Sequence, residues 1–252
     1  MTKLLTRNAK IKKMSGKSTK NFGIPALRIL INDELRQAID IYLSRNEMTW
    51  DDNDLIIKQQ GDVSYLYTCP SAKKCAGGCY ALSGAYIWSQ VHAAYRYRLI
   101  QYLLNPVNFF KRIKKELGKA SRIRIHDSGD FFSKTYIQDW VNFIDSNQDV
   151  EFYAYTKMIQ EFKSIELSQN FTVIFSEGGS QDDTIDVEND RHSRVFLSET
   201  ELKDAGYSNA SQDDNIATLE NPKVGLVWHG QSKKKAWTTH NETSPVSQDE
   251  AA

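Results

Sequence analysis

Cysteine is scarce in this chain, with three residues among 252. An odd number of cysteines, together with the absence of an apolar segment typical of a signal peptide, predicts a reducing compartment rather than a disulfide framework. No apolar run reaches the length of a membrane-spanning helix, so we expect a cytoplasmic protein without a membrane partner. The formal net charge is zero, so the overall charge indicates no polyanionic partner. The sequence predicts no particular oligomeric state.

Acidic residues are missing from positions 1–31, where eight lysines and arginines occur. Such a segment can contact the phosphates of a nucleic acid, although a solvated and partly disordered terminus explains the same pattern. We therefore predict a basic N-terminal arm over residues 1–22, with nucleic acid as a partner to be tested. A single α/β domain is expected over residues 23–238, followed by a polar, disordered tail at 239–252.

Strand patterns alternate with helix patterns in the second half of the chain, which favours parallel pairing of the strands. The resulting prediction is an open or partial (β/α) barrel. A strand that runs directly into the first cysteine is counted as its first strand. The predicted strands are 63–67, 122–126, 150–155, 171–176, 194–197 and 224–228, and the main predicted helices are 32–43, 84–104, 105–117, 133–144, 158–167 and 199–205.

All three cysteines lie in one loop, at residues 68–81. Cys69, Cys75 and Cys79 are separated by five and three residues, and Gly77 and Gly78 allow the backbone to pass close to a bound group. Thiolate sulfur is preferred by zinc, copper(I) and iron–sulfur clusters. We favour a [4Fe–4S] cluster held by three cysteines, with one iron left open. Zinc is the alternative, and it requires a fourth ligand such as a histidine.

Polar residues follow the other predicted strands at their carboxyl ends, where parallel β/α folds place their sites. Asp130, Lys157 and His126 are the candidate catalytic residues, although His126 also suits a core position. Glu177 is a further candidate for contact with a cofactor, and His229 is another rim residue. His92, on the predicted helix after the cysteine loop, is a possible fourth metal ligand.

Several segments together resemble the bacteriophage "gene product 88" family, for which no activity is established. The resemblance covers roughly residues 8–180 and includes an extra segment at about 27–67. The matching segments are Asn8–Lys10, Gly23–Ala26, Thr68–Pro70 with Cys75, Cys79–Ala81, Arg124–Ser133, Tyr136, Trp140 and Phe152–Lys157.

A strand, a three-cysteine loop, a helix and a strand ending in a glycine–acid motif is also similar, more distantly, to the radical S-adenosylmethionine (SAM) superfamily. That resemblance implies a [4Fe–4S] cluster on the three cysteines. It also implies contact between SAM and Ser128, Gly129 and Asp130. The cysteine spacing here is longer than the C-x3-C-x2-C pattern of that superfamily, and aspartate stands where glutamate is usual.

Three functions are compatible with these patterns. The first is a radical SAM-like iron–sulfur enzyme with an unidentified substrate. The second is a nucleic-acid-binding protein stapled by zinc, with the basic arm gripping the phosphates. The third is a metal-dependent nuclease that uses His126, Asp127 and Asp130.

Overall fold

Seven parallel strands form a curled sheet that has the shape of half a barrel. The structure is a computed structural model that describes residues 2–14 and 16–228. Along this sheet the order is β1-β5-β6-β7-β8-β10-β9, which confirms a parallel, partial barrel. In chain order the strands are β1 (Thr19–Asn21), β2 (Arg28–Leu30), β3 (Ile57–Gln60), β4 (Val63–Tyr67), β5 (Arg122–Ile125), β6 (Glu151–Thr156), β7 (Phe171–Ser176), β8 (His192–Phe196), β9 (Ser208–Asn209) and β10 (Lys223–Val227).

Helices cover the convex face of this sheet. Asn105 caps α5 and Ser133 caps α6, each by accepting a backbone N–H with its side chain, as N-cap residues do. α5 ends at Gly118, whose φ of 56° favours glycine. The helices are α1 (Ala9–Lys13), α2 (Asp33–Arg45), α3 (Lys74–Gly77), α4 (Ser89–Leu104), α5 (Pro106–Leu117), α6 (Lys134–Asp145), α7 (Ile159–Lys163) and α8 (Glu199–Asp204).

Strand β5 shows how the sequence assigns the two faces. Arginine and isoleucine alternate along it, and side chains in a strand point alternately to opposite faces. Ile123 and Ile125 are fully buried in the helix-covered core. Arg122 and Arg124 therefore lie on the concave face, where Arg124 pairs with Asp214.

The strand that precedes the cysteines does not belong to the parallel sheet, so that prediction is wrong. β4 is the centre of a separate antiparallel sheet with the order β2-β4-β3. A short apolar run does not specify its partner. Here the tight turn at Gly61, with φ of 60°, pairs β4 locally with β3.

The N-terminal residues are part of the domain rather than a free basic arm. β1 pairs with β5 at the edge of the main sheet, and Leu4, Ile11 and Phe22 are buried. Lys10 forms an ion pair with the buried Asp214. This order depends on partners more than 100 positions away in the sequence, which local composition does not reveal. The predicted tail at 239–252 lies outside the described residues, as does His229.

Candidate functional site at the carboxyl rim of the sheet

The cysteine loop crosses the carboxyl rim of the parallel sheet. At one side, the Thr68 carbonyl accepts a hydrogen bond from Asp130 N (2.9 Å), just beyond β5. At the other side, Cys75 N donates to the Gly178 carbonyl (2.9 Å), and Ser180 N donates to the Ser71 carbonyl (2.9 Å), just beyond β7. The structure thus brings the cysteine loop, the loop after β5 and the loop after β7 to one edge.

The backbone of Leu27 forms three hydrogen bonds at the first cysteine and the residue before it. Its N–H donates to Cys69 Sγ (3.2 Å), and its carbonyl accepts from Thr68 N (2.8 Å) and Cys69 N (3.0 Å). The φ of Leu27 is 59°, a left-handed conformation that is uncommon for leucine and that costs free energy. Residues 28–67 therefore form a segment whose two ends lie next to each other, beside Leu27.

The three cysteines are half-buried, and none of them forms a disulfide bond with another described residue. Burial raises the pKa of Cys69 well above its usual value, and the nearby Asp130, Cys79 and Cys75 raise it further. Cys75 and Cys79 are thus close enough to Cys69 to influence its thiol electrostatically. Within residues 2–14 and 16–228, however, no three His, Cys, Asp or Glu side chains are already arranged to hold a metal ion.

Asp130 is buried and ties the loop after β5 to the end of β6. Its Oδ1 accepts from Thr156 Oγ1 (2.7 Å) and Phe131 N (2.7 Å), and its Oδ2 accepts from Lys157 N (2.9 Å). Burial raises the pKa of this carboxyl in spite of these bonds. The contacts give Asp130 a positioning role beside Cys69.

Ser128 and Gly129 are packed against the segment that leads into Leu27. The Ser128 carbonyl accepts from Ile24 N (3.0 Å). A Cβ atom on Gly129 would lie 2.4 Å from Ile24 Cγ1, and φ at Gly129 is 77°. Glycine is therefore required at this position.

Lys157 and Glu177 lie at the same rim but make separate contacts. Lys157 is half-buried, and its Nζ donates to Ser176 Oγ (2.8 Å). Glu177 accepts from Arg194 Nε through both carboxylate oxygens (3.0 and 2.7 Å). Lys157 also packs against the loop after β7, because its Cβ lies 3.1 Å from the position of a Cβ on Gly179.

His126 belongs to the aromatic core. Its ring packs edge-to-face on Phe131, with 4.5 Å between centroids, and Nε2 lies 3.0 Å from Tyr136 Oη. Burial lowers its pKa to about 3, so the ring is neutral at pH 7. Its φ is 59°, which turns the chain sharply after β5.

Asp127 points away from both Asp130 and His126. Its Oδ2 accepts from Asn21 Nδ2 (2.6 Å) and Asn8 Nδ2 (3.1 Å), and its carbonyl accepts from Tyr80 Oη (2.7 Å). Asp127 therefore joins the N-terminal segment to the cysteine loop. The carboxylates of Asp127 and Asp130 make separate sets of contacts, which does not support a nuclease centre built from them.

His92 and one cavity take no part in the cysteine loop contacts given above. His92 is exposed on α4. A cavity of about 540 Å³ lies at the opposite end of the sheet, near Lys17, Arg122 and Asn170, and is remote from the cysteines. None of the helices in the described ranges has the length and apolar character needed to cross a bilayer.

Sequence reasoning missed a polar cluster on the concave face. Asp214 is buried there between Lys10 Nζ (2.5 Å) and Arg124 Nη1 (2.6 Å), and Tyr153 Oη donates to it (3.0 Å). Tyr155 lies next to Arg124, with 5.3 Å between the guanidinium carbon and the ring centroid. The alternation of arginine with isoleucine in β5 is the signal that could have shown a charged inner face.

Comparison with known proteins points to phage proteins. Over 41 residues the chain is 51% identical to the "Gene 88 protein" of Mycobacterium phage L5, and this match covers 16% of the chain and 17% of that protein. The similarity to this relative thus spans about a sixth of its length. No solved structure matches the chain. The gene product 88 family, in contrast, matches residues 4–245, which is nearly the whole sequence. The chain therefore belongs to the gene product 88 family.

Proposed function

We propose that Cys69, Cys75 and Cys79 hold an iron–sulfur cluster at the carboxyl rim of the half-barrel. The observation that carries this proposal is the set of hydrogen bonds between Leu27 and the backbone and sulfur at Cys69. A backbone N–H aimed at a cysteine sulfur, held by a strained residue, is the kind of hydrogen bond that tunes cysteine ligands of such clusters.

The donor set suits this group. Three thiols in one short loop match the preference of iron–sulfur clusters for thiolate ligands. Gly77, between the second and third cysteines, has no atom within 4 Å of the side where a Cβ would stand. This open side leaves room for the loop to close around a cluster. The side chains of Cys75 and Cys79 would have to turn toward Cys69, because the described residues show no completed ligand set.

We propose a radical SAM-like arrangement in particular, on the basis of the order of the elements. If the segment 28–67 is left out, the cysteine loop follows β1 along the chain. Helices α4 and α5 come next, and then β5 with the turn Ser128-Gly129-Asp130. A cluster with one open iron site supplies electron transfer to a bound cofactor such as SAM. The chain's own part would be to hold the cysteine loop through Asp130, and to offer Lys157 and the turn at Ser128 and Gly129 to polar groups of that cofactor.

A reducing cytoplasm would keep the three cysteines out of disulfide bonds and so available as ligands. Zinc is the second candidate for the same thiols, because it shares their chemistry. The nucleic-acid role that accompanied zinc depended on a free basic arm. Lys10 is instead engaged with Asp214 and with the Ala210 carbonyl (2.7 Å). Exposed Lys12 and Lys13 are the remaining basic groups of α1.

The test is metal and acid-labile sulfide analysis of the full chain purified without oxygen, with an absorption spectrum. About four irons and four sulfides per chain are expected. The Cys75→Ala variant should lose them, whereas Lys73→Ala, an exposed neighbour in the same loop, should retain them. One zinc without sulfide would replace the cluster by a structural zinc site. Protein that binds neither metal after anaerobic reconstitution would contradict both.

A further inference from the structure

We infer that the concave face of the half-barrel binds an oxyanion, a carboxylate or a phosphate, through Arg124 and Tyr155. This inference goes beyond the metal proposed above and depends on different residues. Arg124 is the third residue of β5, and Tyr155 is the fifth of β6, so both lie toward the carboxyl rim.

Two buried donors on this face have no partner. Neither Arg124 Nε nor Tyr155 Oη has a hydrogen-bond partner among the residues that the structure describes. Buried polar groups are nearly always paired, so two such groups side by side indicate a missing partner. A guanidinium can only donate and a phenol can donate, so a single group that satisfies both must be an acceptor.

The charges around Arg124 are paired within the protein. Lys10 and Arg124 share one carboxylate, that of Asp214, whose side chain is 1% exposed. The buried Asp127 is a second carboxylate that acts on Arg124. The neighbouring Arg122 is balanced by Glu151, with 2.9 Å between Nη2 and Oε2. An anion would therefore be held by the two donors without a partner and not by an excess of positive charge.

The site is small, and its two donor atoms are buried although the side chains that carry them are partly exposed. The side chain of Arg124 is 12% exposed, and Tyr155 is half-buried. Tyr155 packs against the apolar cluster that includes Ala210 and Ala217, and Arg124 contacts Asp214. A carboxylate or phosphate oxygen has the size and charge to reach both donors, and arginine binds either group well.

The experiment measures the thermal unfolding midpoint of the full chain during titration with sodium phosphate or sodium acetate. Sodium chloride at matched ionic strength is the reference. At least one of the two anions should raise the midpoint above the reference. A response to phosphate alone identifies a phosphate site, and a response to acetate alone identifies a carboxylate site.

The Tyr155→Phe variant separates binding from folding. It removes a hydroxyl without a partner, so its midpoint in chloride should equal or exceed that of the wild type. Its apparent affinity for the active anion should fall about ten-fold or more, because a hydrogen bond to a charged group is lost. The matched control is Tyr153→Phe, whose hydroxyl donates to Asp214. Its midpoint should fall while its anion response persists.

Two results would overturn the inference. One is a wild-type midpoint that rises no more in phosphate or acetate than in chloride. The other is a Tyr155→Phe response equal to that of the wild type. Either result leaves the iron and sulfide analysis untouched, so the failure of this site and the failure of the cluster can be told apart.

Discussion

The convex and concave faces of the parallel sheet differ in almost every respect. The convex face buries isoleucines and a continuous set of aromatic rings under the helices. Trp140, for example, contacts Phe110 at right angles with 5.1 Å between centroids. The concave face carries tyrosines, arginines and a buried ion cluster around Asp214, covered by the short segment 210–218.

This contrast separates stability from chemistry. Apolar burial is non-directional, so it suits the face that must close against helices. Buried donors without a partner lower stability, and on the concave face a bound ligand would offset that cost. The rim between the two faces carries the cysteines. Three predictions test this division, from the largest effect to the smallest.

Trp140→Ala should be the most damaging change on the convex face. Trp140 is fully buried among aromatic rings, so its removal leaves a large cavity. The free energy of unfolding should fall by about 3–5 kcal/mol, measured by urea denaturation. The control is Trp88→Ala, because Trp88 is 57% exposed, and its effect should stay within about 0.5 kcal/mol. Equal losses in the two variants would refute the aromatic core as the main source of stability.

Asp214→Asn should be the most damaging change on the concave face. It removes the carboxylate charge that pairs with both Lys10 and Arg124, at a cost of about 3 kcal/mol. The matched control is Asp149→Asn, an exposed aspartate with little expected effect. Added phosphate should recover part of the loss if the concave face accepts an anion. A loss below about 1 kcal/mol would mean that the cluster is held by packing rather than by charge.

The buried His126 on the convex face should make the free energy of unfolding depend on pH. Burial lowers its pKa from 6.5 to about 3, so the folded state binds fewer protons than the unfolded state in this range. Its contribution to stability is therefore complete above pH 6.5. It is lost as pH falls toward 3, by at most about 1.4 kcal/mol per pH unit.

The variant His126→Asn isolates this contribution. Asparagine tolerates the left-handed backbone at this position and does not titrate. The slope of unfolding free energy against pH should be shallower in the variant than in the wild type between pH 6.5 and 3. His92→Asn, at an exposed position, should keep the wild-type slope. Parallel curves for His126→Asn and the wild type would show that the buried imidazole is not the cause.

The parts of the fold that follow local patterns were predictable. The strands at 122–126, 150–155 and 171–176 and the helix capped by Ser133 occur close to their predicted positions, because alternation and capping are local signals. β1 and the pairing of β4 were missed because both depend on distant or competing partners. Asp214 was missed because a buried aspartate in a turn has the same sequence signature as an exposed one.

For the candidate site, the sequence predicted which residues take part but not the contacts that they make. The sequence identified the cysteines and the turn at Ser128, Gly129 and Asp130, and the structure brings them to one rim. It did not reveal that the Asp130 carboxylate is engaged by Thr156 and Lys157, or that Leu27 contacts Cys69, because hydrogen bonds between distant segments leave no local pattern.

The junction at Leu27 has a consequence for how this chain can vary. Residues 28–67 begin and end beside Leu27, so a change in their length need not move the cysteines that follow. The segment is also attached to the rest of the domain, since Asp54 Oδ1 accepts the Lys134 N–H at the start of α6 (2.9 Å) and α2 packs against α4. Its apolar side chains therefore form part of the core. Relatives with a shorter segment would need other side chains to cover that part of α4.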